Sequence, residues 1–222
     1  MHVLQLTESQ LTTLATVLNK LPEREYHHAA LFSVHLVVEA QWKRARRPAK
    51  RVRVSSAEPT SRLLSVSDSF ISVLKDMVQA NSWWDTVDTL SKTIGYLVQV
   101  YPHLADEMEA WSKDEDFWVR RVSLLHQVSR GSPAATHQLR THGHPNTPQL
   151  AYKDETDMDA LFRRCAAMAT EEEFFIRKAI GWALRTYSRV DADAVARFVS
   201  DHPELSPLSK REALRLNLHK KR

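Results

Sequence analysis

The sequence predicts an all-α protein, and three observations lead there. Apolar residues recur at helical spacing along nearly the whole chain. No window shows strand-like alternation bounded by hairpin signals. Only 4 Gly stand among 222 residues that are 43% hydrophobic, which argues against a turn-rich all-β protein.

The first helix is expected over 8–19, where Thr7 and Gln10 have the spacing of a capping box. A second runs over 22–44. A third over 67–80 has Ser67 as its cap, although Phe70 cannot return the reciprocal bond. The fourth, 84–101, ends at Pro102, and 103–111 follows it. A helix over 115–130 comes next, then 157–169, then 172–188 with Thr170 and Glu173 as a second candidate capping box. The series closes with 191–200, which Pro203 ends, and 207–218, which Pro207 opens. Residues 45–62 carry basic residues, Ser and two prolines and read as an exposed connector. Residues 130–155 are rich in Gly, Pro, His and Thr and read as a long surface loop. The helices fall into pairs of about 35–45 residues, the scale of HEAT-like repeats, with length and periodicity rather than internal identity as the basis. A single domain over 1–222 is expected, a curved α-solenoid with a concave basic groove.

Composition narrows the function classes. No run of about 18 or more uninterrupted apolar residues is present, so no membrane span is expected. Met1 to Thr13 lack the charged start and apolar run of a signal peptide. The single cysteine, Cys165, reads as a small core residue among Leu161, Phe162, Ala166 and Ala167. A soluble, intracellular protein is expected: cytoplasm or nucleoid, or nucleus in a nucleated cell. The net charge of +4 is unevenly spread: Lys43, Arg44, Arg46, Arg47, Lys50, Arg51 and Arg53 cluster, and Lys220-Lys221-Arg222 ends the sequence. Such clusters attract phosphate backbones, although a solvated linker or localisation signal has the same composition. His137, His142 and His144 lack Cys or carboxylate partners at ligand spacing, and no metal site is expected.

Two helix faces carry chemistry. After Ser82, the run Trp83-Trp84-Asp85-Thr86-Val87-Asp88 opens the fourth helix. Val87, Leu90, Ile94, Leu97, Val98 and Tyr101 form its apolar stripe. Trp84 lies roughly 90° and Asp88 roughly 130° from the centre of that stripe, so an aromatic plane and a carboxylate share another face one turn apart. Trp83 falls nearer the stripe and reads as the ordinary core aromatic. In the helix over 172–188, Phe175, Ile176, Ala179, Ile180, Ala183 and Tyr187 form the core side. Lys178, Trp182 and Arg185 share a different face, with Trp182 roughly 100° from the stripe. A boundary tryptophan covered by the stems of Lys178 and Arg185 is the plainer alternative. Between them, Trp118, Val122 and Leu125 read as core, and periodicity leaves open which of Arg120 and Arg121 turns outward. A tryptophan beside a carboxylate suits a cationic, planar, sugar-linked substrate, and cations beside a second tryptophan suit a phosphate-lined aromatic site.

The stretches 21–26 (Leu-Pro-Glu-Arg-Glu-Tyr), 82–88, 117–125, 173–187 and 205–213 resemble the DNA alkylation repair glycosylases of the AlkD type, over roughly residues 20–215. The resemblance implies excision of N3- and N7-alkylated purines from duplex DNA by hydrolysis of the N-glycosidic bond. It implies no base flipping, which departs from the usual extrusion strategy. Carried over by motif, Asp88 is the catalytic carboxylate, Trp84 and Trp182 contact the deoxyribose, and Arg121 and Arg185 hold the phosphate backbone, with Lys178 and Arg120 as further cations. No cofactor is implied, and a monomer acting on double-stranded DNA is expected. The sequence departs from the family pattern before residue 21, where about one helical unit is missing, and in the longer 130–155 segment. The alternatives are a non-catalytic HEAT-like scaffold for damaged or branched DNA and a protein-interaction module. A carboxylate beside the DNA serves a glycosylase and burdens a scaffold.

Overall fold

The structure is a computed structural model that describes residues 6–45, 66–80, 82–130, 148–150 and 156–215. The 45–62 connector beyond Ala45, the basic residues 46–53, His137, His142, His144 and the terminal Lys220-Lys221-Arg222 lie outside the described residues. The described residues form ten helices and one pair of short strands, so the chain is all-α. It divides into two compact units, 1–104 and 105–222.

The first unit contains α1 (Glu8–Asn19), α2 (Arg24–Ala45), α3 (Asp68–Ala80) and α4 (Trp84–Val100). Helix α2 packs against α1 and α4, and α3 packs against the same two. Thr7 and Gln10 make the expected capping box on α1. Ser67 caps α3 through the Phe70 amide at 3.3 Å. The reciprocal acceptor that Phe70 cannot supply comes from α1: the Ser67 amide donates to Glu8 Oε1 at 3.3 Å. Phe70, Leu74, Val87, Leu90 and Ile94 are fully buried in this core. The apolar stripe expected on α4 is therefore buried, with Tyr101 at its partly exposed end.

A polar and aromatic seam joins α2 to α4. Trp42 Nε1 donates to Gln99 Oε1 at 2.5 Å, and its ring stacks on Tyr96 with centroids 4.5 Å apart. His35 Nδ1 meets Thr93 Oγ1 at 2.8 Å. Burial, reinforced by the nearby Lys92 ammonium, lowers the His35 pKa. Lys43 is the described member of the basic cluster whose side chain is placed, and it pairs with Glu39 at 3.0 Å.

The second unit takes in the rest of α5 (Leu104–Trp111), α6 (Phe117–Leu125), α7 (Met158–Ala167), α8 (Phe174–Tyr187), α9 (Ala192–Asp201) and α10 (Pro207–Ala213). Helix α8 is its centre and packs against α6, α9 and α10. Cys165 is fully buried, as expected, and burial pushes its thiol up to about 12.

Three local expectations are corrected here. The helix expected over 115–130 stops at Leu125. Gln127 is drawn aside, its Oε1 accepting the amide of Asp157, the α7 N-cap, at 2.9 Å. The chain then enters β1 (Val128–Arg130), which pairs antiparallel with β2 (Pro148–Leu150), Val128 opposite Leu150. Residues 130–155 were expected as loop alone, and both strands reach into that span. The capping box of Thr170 and Glu173 does not form. Glu173 is itself the N-cap, and its carboxylate accepts the Phe175 amide at 3.2 Å. Among the described residues, no helix is long and apolar enough to cross a membrane, and no group of three or more His, Cys, Asp or Glu side chains is placed to hold a metal.

Candidate functional site

In the first unit the site is built at the start of α4. Trp83 occupies the N-cap position in extended conformation and supplies no side-chain cap. That position explains why Trp83 is not the core aromatic expected. It precedes the helix, so the 100° wheel does not apply to it, and it is 50% exposed. Trp84 is 38% exposed. Two neighbouring indoles on the surface leave apolar area in water, a cost that a binding partner removes.

The two carboxylates of the motif have different employment. Asp85 Oδ1 accepts the Thr86 amide at 2.8 Å, and Asp85 Oδ2 accepts Arg24 Nη2 at 3.1 Å. Asp85 therefore stabilises the helix start, where a negative charge meets the macrodipole, and ties α4 to α2. Asp88 is half-buried one turn further on, on the face that Trp84 begins.

The Arg24–Asp85 bond brings together the motifs at 21–26 and 82–88. Arg24 Nε also donates to His28 Nε2 at 3.1 Å, and His27 Nε2 donates to the Leu21 carbonyl at 2.6 Å. Between the motifs lies a cavity of about 270 Å³ lined by Pro22, Arg24, His27, His28, Ser82, Trp83 and Thr86. Periodicity and motif give Arg24, His27 and His28 no role. The signal that points to Arg24 is a charged motif at 21–26 with no role of its own, alongside an acidic one at 82–88.

In the second unit the arginine pair divides. Arg120 is a clamp: Nε and Nη2 reach the two oxygens of Glu171 at 2.7 Å each, and Nη1 donates to the carbonyls of Asp114 and Glu115 at 2.7 and 2.8 Å. The bidentate Glu171 bond raises the guanidinium pKa further. Nη1 holds the turn before α6 while Nε and Nη2 tie it to Glu171 ahead of α8, and these bonds compete with the phosphate contact expected of Arg120. Arg121 is only 4% exposed; Nη1 donates to the Phe175 carbonyl at 2.5 Å, and the guanidinium lies 5.9 Å from the Phe175 ring. A phosphate reaching Arg121 meets only the small accessible part of that guanidinium.

Lys178, Trp182 and Arg185 of α8 are all half-buried, and Trp182 packs against the apolar core, as a boundary tryptophan would. The two cations are covered by α10. Glu212 accepts Lys178 Nζ at 3.2 Å on one oxygen and bonds Arg185 Nη1 with the other. Burial acts to raise the Glu212 pKa, but the bonds to Lys178 and Arg185 outweigh it and hold the carboxyl below its ordinary range. Gly181 makes this approach possible, since a Cβ there would lie 2.6 Å from Glu212 Cβ and 3.1 Å from the Ser209 carbonyl oxygen. Glu212 is not legible as a site residue from periodicity; its one signal is an acid directly after the cations Lys210 and Arg211 in the 205–213 motif.

The match to a family of sequences decides what these motifs belong to. A family described as DNA alkylation repair enzyme matches residues 2–216. The chain belongs to the DNA alkylation repair enzyme family. A solved structure described as "Predicted DNA alkylation repair enzyme from Enterococcus faecalis" is similar over 94% of this chain and 76% of that one, at 25% identity and a TM-score of 0.67. No curated protein matches the chain. Membership supports a role in DNA repair, and the motif residues at 82–88 and 173–187 fall inside the matched span.

Proposed function

We propose that the protein is a DNA glycosylase of base excision repair that removes N3- and N7-alkylated purines from duplex DNA without drawing the base into a pocket. The observation that carries the reading is the start of α4, where the exposed Trp84 is followed one turn later by the half-buried Asp88. N-alkylation places a positive charge on the purine, so the base is already a good leaving group. The sugar left behind is oxocarbenium-like, and a fixed carboxylate stabilises that charge and orients a water toward C1′. The faces of Trp84 and Trp182 add attraction to the cationic sugar. Arg121, Arg185 and Lys178 are assigned to the phosphate backbone, with the Glu212 pair setting how much of Arg185 and Lys178 is available. Arg120 stays a candidate contact of lower weight, because its guanidinium is already committed to Glu171. The protein acts without a metal or organic cofactor in this reading.

The test is incubation with duplexes carrying 7-methylguanine or 3-methyladenine and detection of the free base. Charge rather than size should set the substrate range, so neutral lesions such as uracil, 8-oxoguanine and 1,N6-ethenoadenine should be left in place. Release of uracil with none of 7-methylguanine overturns the mechanism. Binding of methylated duplex with no base release at all favours the scaffold alternative.

A further inference from the structure

Helix α2 is apolar on two opposite faces. Ala30, Leu31, Val34, Val37 and Val38 are buried in the first unit. On the other side Phe32 is 56% and Leu36 59% exposed, and Ala29 is exposed beside them. A soluble helix with a second apolar face ordinarily buries it against something. At 100° per residue, Glu25, Phe32, Leu36 and Lys43 lie within about 40° of one line along the helix. Glu25 is exposed in the first turn, and Lys43, half-exposed in its pair with Glu39, stands near the other end.

This line is symmetric about one residue. Glu25 and Lys43 are equidistant from Val34, and so are Phe32 and Leu36. A second α2 laid antiparallel across the first therefore meets it in complementary order. Each Glu25 reaches the partner's Lys43, about 27 Å from its own, and each Phe32 meets the partner's Leu36. A two-fold axis through the exposed face at the level of Val34 generates both sets of contacts, which is the requirement for an isologous dimer.

We infer that the exposed face of α2 is a self-association surface, on which a second copy of this chain docks with its α2 antiparallel. It replaces the expectation of a monomer. One helix pair buries less than a standard interface of roughly 1,200–2,000 Å², so the dimer is weak and concentration-dependent. The two like ends repel in a parallel arrangement, which selects the antiparallel one.

Sedimentation equilibrium of the full chain, from micromolar to several hundred micromolar, tests the inference. The mass should climb from 25.5 kDa toward twice that value. Glu25→Lys and Lys43→Glu should each weaken association at least several-fold, and the two together should recover part of the loss, since the pairs between copies reform with reversed sign while each chain loses its own Lys43–Glu39 pair. Both are surface changes, so folding is preserved and circular dichroism checks it. Phe32→Ser with Leu36→Ser should abolish the dimer. A constant 25.5 kDa over the whole range overturns the inference, as does a double charge swap that recovers none of the loss in the single variants. If the serine variants instead lose affinity for duplex DNA while the wild type stays at 25.5 kDa, the face is a nucleic-acid contact and the dimer is overturned.

Discussion

Helices α4 and α8 share one design and meet different fates. Each carries a tryptophan and charged residues away from its apolar stripe. On α4 the tryptophan stands at the first position of the helix, and Asp88 follows it on a half-buried face. On α8 the tryptophan sits mid-helix, and α10 closes over its neighbours with Glu212 between Lys178 and Arg185. The sequence of a helix sets which residues leave the core stripe. What those residues then face is set by the next element to pack there, and on α8 the choice turns on a missing Cβ at Gly181.

The largest expected effect breaks the α4 side of the comparison. Asp88→Asn should lower base release from 7-methylguanine duplex by roughly 10²–10³-fold and leave thermal stability and duplex affinity nearly unchanged. Single-turnover assays with binding isotherms separate these outcomes, and equal release rates would falsify the assignment. Asp85→Asn, by contrast, should act on structure: it loses the charge bonded to Arg24, and a modest fall in melting temperature is expected because that pair is largely solvent-exposed.

On α8, Gly181→Ala should cost about 1–3 kcal/mol, because the added methyl would lie 2.6 Å from Glu212 Cβ and pushes α10 away. Thermal unfolding reads that loss. An unchanged melting temperature would mean that α10 does not need so close an approach.

Glu212→Gln sharpens the comparison by uncovering the α8 cations. It should destabilise the fold by about 1–3 kcal/mol, the cost of leaving half-buried partners without their counter-charge. It should also tighten binding to duplexes of any sequence as Arg185 and Lys178 are released. Stability of the wild type should depend on this group in acid. The folded pKa is depressed, so the contribution is full above the ordinary carboxyl range and is lost as pH falls through the folded value. The Gln variant should show a flatter stability profile there, and an acid limb as steep as in the wild type counts against the assignment.

The smallest effect is in salt dependence. Arg185→Ala should weaken all duplexes alike and reduce the slope of log affinity against log salt by about one. Arg121→Ala should do the same and also lower stability, because its buried guanidinium holds the Phe175 carbonyl. A variant that changes lesion preference at constant slope has been given the wrong role.

The sequence by itself determined the all-α class, most helix bounds, the α1 capping box, the burial of Cys165 and the family. These follow from periodicity, cap chemistry and motif, which act between residues close in the chain. Its placing of Trp83 failed because a helical wheel has no meaning at an N-cap. Its helix through 130 failed because Gln127 is held by Asp157, thirty residues away. Only the tertiary structure decided that Arg120 is a clamp on Glu171, that Arg24 bonds Asp85 across 61 residues, and that Glu212 stands over the α8 cations. Each of these is a contact between charges distant in sequence, where local propensity is silent and packing geometry chooses the partner.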